Sequence, residues 1–197
     1  IVGLPVPGSG SGTSGPTVTL AGNVTFDSVP NTTGGLNYAA MTAKPVRGAV
    51  VEILDANAAV VATTATDGGG VYSVSVPANA TVSVRVKAQL LQSGSGASWD
   101  VSVRDNTQGD ALYSMDSGNF STGNATLTRN VHAPSGWNGS SYASARVAGP
   151  FAVLDTVYAT QAKVLSVAPS TAFPPLRVFW SVNNVPACGN PALGQIG

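Results

Sequence analysis

Residues 45–77 read PVRGAVVEILDANAAVVATTATDGGGVYSVSVP, and this stretch decides the fold. Val46, Val50, Val51 and Ile53 are spaced as core residues of one strand. DANA at 55–58 is a turn, and VVATTAT at 60–66 is a second strand. DGGG at 67–70 supplies the glycines that a tight reversal needs, because only glycine adopts positive φ without steric cost. VYSVSV at 71–76 then alternates apolar and polar residues, the period of a half-buried strand.

The same signal continues on both sides. Residues 82–88 (VSVRVKA) place Val82, Val84 and Val86 on one face and Arg85 and Lys87 on the other. A one-residue slip would bury both cations, so the register is strongly specified. WDVSV at 99–103 is a further strand. Towards the N-terminus, TVTLAGNVTF at 17–26 alternates through Val18, Leu20, Val24 and Phe26, with Gly22 as a bulge or a point of close approach. Residues 27–43 read as a long loop. Short strands separated by turn residues at this spacing predict an antiparallel β-sandwich over about residues 17–105.

Composition narrows the functional classes. The 197-residue chain has nine Lys+Arg and nine Asp+Glu, a formal net charge of zero, and only 9% charged residues, against roughly 25% in an average soluble protein. No basic excess exists to neutralise a phosphate backbone, which argues against nucleic acid as a partner. No apolar run approaches the ~20 residues of a membrane span. A surface this poor in charge has little repulsion between copies, and it fits an extracellular, cell-surface or assembled protein. The sequence opens on Ile1 with no basic and apolar leader, as expected of a processed product compatible with export. Six Asn-x-Ser/Thr sequons, at Asn23, Asn31, Asn79, Asn119, Asn124 and Asn138, are glycan acceptors if the host glycosylates, and chance in so Asn- and Ser-rich a chain accounts for them equally.

The elements quoted above carry a resemblance. Gly22-Asn23-Val24, then Pro45-Val46-Arg47-Gly48-Ala49-Val50-Val51, then Thr66 through Gly70-Val71-Tyr72 to Val76-Pro77 resemble the carboxypeptidase regulatory-like, prealbumin-like (transthyretin-like) β-sandwich domains. The resemblance implies a sandwich in which Gly48 and Gly70 occupy tight turns and Tyr72 packs its ring inside with its hydroxyl at the edge. It implies a spacer, adhesive module or folding aid rather than an enzyme. The remainder is similar, more weakly, to the region that precedes a zinc-peptidase-like domain in secreted bacterial proteins. No H-E-x-x-H occurs, so on that likeness the chain would be a non-catalytic front portion.

Residues 106–197 are expected to form a smaller α+β extension. Two short strands are expected, at 111–115 and 125–132. One helix is expected at about 150–168, with Gly149 capping it, Pro150 in its first position and Pro169 stopping it. Phe151, Leu154, Val157, Tyr158, Ala162 and Leu165 form its apolar stripe. LRVFWSV at 176–182 is a last strand, and the tail from residue 183 reads as loop.

Few groups are suited to chemistry. His132 is the single histidine and Cys188 the single cysteine. A lone histidine reads as a hydrogen-bonded structural residue, and a lone cysteine in a Pro/Gly loop as a buried thiol or an intermolecular disulfide. No catalytic, cofactor or metal-ligating set emerges. Asp100, Asp105, Asn106, Asp110 and Asp116 form a mild acidic cluster, with Asp105 and Asp110 the weak calcium candidates, although such residues equally serve turns. GSGTSG at 10–15 matches a dinucleotide-binding pattern in letters only and is linker. Trp137 and Tyr142, in GWNGSSY, could form a ligand-stacking platform for carbohydrate, and with Trp99 and Trp180 could equally be buried.

The N-terminus is the remaining feature. IVGLPVP at 1–7 is apolar, and GSGSGTSGP at 8–16 tethers it flexibly to the folded body. Ile1, Val2, Leu4 and Val6 are then an assembly segment that adds a strand to a neighbouring copy. Pro5 and Pro7 restrict it to an edge. The leading expectation is a non-catalytic secreted structural protein whose partner is other copies of itself, extending to a fibre. The alternatives are the peptidase-like front portion and a carbohydrate-binding or adhesive module.

Overall fold

The computed structural model describes residues 15–184. The assembly segment at 1–7, most of the linker and Cys188 lie outside the described residues. The strands in chain order are β1 (Thr17–Ser28), β2 (Asn31–Thr32), β3 (Gly35–Leu36), β4 (Thr42–Pro45), β5 (Ala49–Asp55), β6 (Val60–Ala65), β7 (Val71–Pro77), β8 (Thr81–Gln92) and β9 (Trp99–Asp105). They continue with β10 (Ala111–Leu112), β11 (Ser114–Asp116), β12 (Phe120–Ser121), β13 (Leu127–Thr128), β14 (Val131–Ala133) and, after helix α1 (Ala148–Leu165), β15 (Leu176–Phe179).

Two sheets and one helix enclose the core. In the larger sheet β8 is central. β5 runs antiparallel along one side of it, and β9, β11 and β12 take successive stretches of the other. β6 extends the sheet beyond β5, and β15 extends it beyond β9 in parallel. In the smaller sheet β1 carries antiparallel neighbours β7 and β4 and parallel neighbours β13 and β14. The predicted alternation holds. Val82, Val84 and Val86 are fully buried, while Lys87 reaches Glu52 (2.7 Å) and Arg85 reaches Asp116 (2.9 Å) on the outer face. Phe151 and Leu154 bring α1 into the core, packed on β1, β8 and β9.

The mainly β sandwich with one helix is as expected, with local differences, among them a break in the strand expected to carry Val46, Val50, Val51 and Ile53: β4 ends at Pro45 and β5 starts at Ala49, with Gly48 at φ +67° between them. The boundary expected at residue 105 falls inside the larger sheet, because β10, β11, β12 and β15 pair with β8 and β9 while β13 and β14 complete the smaller sheet. Those strands are two to four residues long, too short to show alternation. The loop expected at 27–43 contains the β2–β3 hairpin, a short 3-10 turn at Tyr38–Ala40 and the start of β4. The helix starts two residues before Pro150, since the Ala148 N–H is taken by the Pro134 carbonyl and the Gly149 N–H by the Arg146 carbonyl. Pro150 still lies in the first turn, where its missing N–H costs nothing. The helix ends at Leu165, and Gln161 is buried in place of Ala162.

One contact locks the smaller sheet. Gly22 pairs with Tyr72 across β1 and β7. The Tyr72 ring is 1% exposed, and its hydroxyl donates to the Arg129 carbonyl at 2.7 Å. A Cβ on Gly22 would strike that same carbonyl and the Tyr72 ring. Gly70, at φ +78°, likewise turns the chain against the Val24 carbonyl.

Gly22→Ala should therefore destabilise the protein by about 3 kcal/mol, the upper end of overpacking effects. Tyr72→Phe, which removes one hydroxyl bond, should cost ~1 kcal/mol. Urea midpoints of both variants check this. Burial pushes the Tyr72 phenol up to about 12, with the Arg129 charge opposing. The fold holds the neutral phenol, so its contribution is complete below the unfolded value of about 10 and is lost as pH rises through about 12. Thermal melts should show that loss over this window, and Tyr72→Phe should reduce it.

Candidate functional site

Two surfaces stand out once the core is set aside. The first is the open side of the sandwich formed by β6 and β7, consecutive strands that lie in different sheets and are joined by the 66–70 turn. Among the described residues β6 pairs only with β5, and β7 only with β1. Residues 60–77 carry one charged group, Asp67. Its Oδ1 accepts the Gly69 and Val71 N–H groups at 2.8 and 2.9 Å, so it serves the turn. Val60 and Val61 are 52% and 42% exposed, and Val71 is also exposed. β6 contains no Gly, Pro or charged residue. Edges are ordinarily blunted by such residues or by a covering loop.

The second surface is an aromatic corner where the 134–147 loop meets α1 and the end of β15. Trp137 and Tyr142 are opposite each other in a tight loop closed by a bridge between them and by Asn138, whose Oδ1 accepts the Ser140 and Ser141 N–H groups. Tyr38, from the 3-10 turn, stacks on Trp137 at 4.0 Å and 18°. Its hydroxyl meets that of Tyr142 at 2.6 Å. Arg146 lies over the Tyr142 ring, 3.5 Å from its centroid. The sequence-predicted pair is thus together, but one face of each ring is covered by a neighbour. Tyr38 and Arg146 were not among the expected residues.

Beside this corner lies a cavity of about 500 Å³. Tyr113, Tyr142, Phe151 and Trp180 supply its aromatic walls, with Val147, Pro150 and Val182 adding aliphatic surface. Trp180 is held edge-on to Tyr113 at 5.5 Å and presses on Gly149, where a Cβ would meet the indole. Two charged side chains line it, Asp105 and Arg146. Asp105 is occupied. Its Oδ1 takes the Thr107 N–H and hydroxyl, and its Oδ2 takes the Tyr113 hydroxyl at 2.9 Å. The Thr107 hydroxyl, with smaller contributions from the Thr107 N–H and Tyr113, holds this carboxyl below the usual range although burial pushes it up.

The other expected residues are dispersed. Asp110, at φ +59°, offers its backbone carbonyl to Arg104 at 3.0 Å. Asp116 pairs with Arg85, and Asp100 accepts from Gln89. Among the described residues no three His, Cys, Asp or Glu groups converge as metal ligands. His132 sits between the Thr25 hydroxyl (2.9 Å) and Asp27 (3.2 Å). This order of groups has the outline of a nucleophile, base and acid. Yet neither Thr25 nor His132 lines the aromatic cavity, and His132 is half exposed on the sheet surface.

Neither a protein-family model nor a curated protein matches the sequence. The crystal structure of a minor pilin from the Gram-positive pathogen Streptococcus agalactiae is similar at 14% identity with a TM-score of 0.30. The likeness covers 60% of this chain and 44% of the pilin chain, so it spans less than half of the pilin's length. What this chain does is read from its own surfaces.

The Tyr142 phenol is held above its ordinary value, first by the hydroxyl bond with Tyr38, then by burial, with Arg146 pulling the other way. Tyr38→Phe should bring it down. NMR titration of ring-labelled tyrosine would detect the shift, and an unchanged Tyr142 titration would contradict the hydroxyl pairing.

Proposed function

We propose that the chain is a non-catalytic extracellular structural module that assembles with copies of itself by strand addition, residues 1–7 of one copy lying along β6 of the next. The observation that carries this reading is the β6–β7 side: an edge strand that no strand covers among the described residues, with exposed valines, in a stretch whose single charge is consumed by its own turn. Main-chain hydrogen bonds supply the affinity in such an addition, and apolar side chains supply its register. Pro5 and Pro7 lack N–H groups, so the added segment is suited to an outermost position. The low overall charge removes the long-range repulsion that keeps copies apart. The absence of charge from β6 favours association over an intramolecular role for this edge.

The test compares the full chain, a variant lacking residues 1–7 and Val61→Lys by sedimentation and negative-stain microscopy. The full chain should form ordered assemblies. Both variants should give folded monomers, the first for want of a donor and the second because a lysine blunts the acceptor edge. A full chain that stays monomeric, or assemblies that survive both changes, would overturn the proposal.

A further inference from the structure

The aromatic cavity beside α1 is the second place where the molecule is unfinished. It is separate from the β6–β7 side and does not depend on the assembly proposal. Its volume of about 500 Å³ falls within the range of small-molecule sites, roughly 300–1,000 Å³, which are mostly apolar with a few placed polar groups. The lining matches that description: Tyr113, Phe151 and Trp180 form the walls, and Arg146 and Asp105 are the charged groups.

The two charges are not equivalent. Asp105 has both oxygens engaged by Thr107 and Tyr113. Arg146 has no carboxylate partner among the described residues. Its guanidinium is instead held over the Tyr142 ring. Stacking leaves the N–H edge of a guanidinium available, and that planar fork suits the two oxygens of a carboxylate or sulfonate. An apolar chamber whose carboxylate has both oxygens taken, and whose guanidinium keeps an N–H edge free, offers hydrogen bonds to an anion with an apolar body. A neutral or cationic ligand would leave the free edge of the guanidinium unused.

We infer that this cavity binds a small amphipathic monoanion, its aromatic or aliphatic body between Trp180, Tyr113 and Phe151 and its carboxylate or sulfonate on Arg146. Arg146 is exposed, so changing it leaves the core intact. Ala145, also exposed, lines the cavity next to it and offers a position from which a large side chain would fill the space.

The experiment uses two fluorescent probes on the full chain. One is 8-anilinonaphthalene-1-sulfonate. The other is N-phenyl-1-naphthylamine, which has the same rings and no charge. The sulfonate probe should bind one per chain, more weakly as salt rises. Arg146→Gln should reduce its affinity at least tenfold while leaving the neutral probe within twofold, and Arg146→Lys, which keeps the charge without the planar fork, should recover only part of the loss. Ala145→Trp should abolish binding of both, with circular dichroism unchanged in every variant. The proposal is overturned if the sulfonate probe does not bind, if Arg146→Gln leaves its affinity unchanged or weakens both probes equally, or if Ala145→Trp leaves binding intact.

Discussion

The crossing of Tyr72, Gly22 and the Arg129 carbonyl is the constraint on which the smaller sheet depends. Three chain segments far apart in sequence meet within one hydrogen bond and one missing side chain. A side chain at position 22 would push the 127–133 segment away from β1, with which β13 and β14 pair. The aromatic ring then fills the space above the glycine, so the backbone contact is also sealed from water. Most of the core follows, since Val24 and Phe26 of β1 face the buried valines of β5 and β8.

Charge is used sparingly, and three ion pairs fasten strands and helix together. Lys87 with Glu52 and Arg85 with Asp116 tie strands of the larger sheet on its outer face. Arg47 donates to Asp155 at 2.6 Å and lies over the Tyr158 ring, which fastens the β4–β5 connection to the helix. Exposed pairs of this kind are individually worth little in stability, but they fix which surfaces are spoken for. What distinguishes Arg146 from the other arginines without a carboxylate partner among the described residues is its place, over the Tyr142 ring and on the wall of the aromatic cavity.

The sequence revealed the fold where strands are long. Over residues 60–103 and 17–26, period-two alternation is sustained enough to assign faces, and the inward valines and outward Arg85 and Lys87 follow from it. Residues 106–147 were legible only in part: strands lie where they were expected, at 111–115 and 125–132, but β12 and the partner of each strand were not visible. A strand of two residues has no period, and its place in a sheet is decided by the partner already there. The aromatic corner was half legible. Trp137 and Tyr142 are five residues apart and visible as a cluster. Tyr38 lies 104 residues from Tyr142, and no local pattern connects them. Arg146 looks like any surface arginine until its ring partner and the cavity are in view.

The parallel pairing of β1 has a consequence for how the chain comes to be folded. Thr25 and His132 are neighbours in the sheet but 107 residues apart in the chain. During synthesis β1 emerges early and can pair at once with β4 and β7, while its other side stays open until β14 has left the ribosome. Long-range pairings of this kind slow folding and prolong the life of sticky intermediates. With little charge to keep such intermediates apart, the open side of β1 is exposed to pairing with other chains until the 127–133 segment closes it.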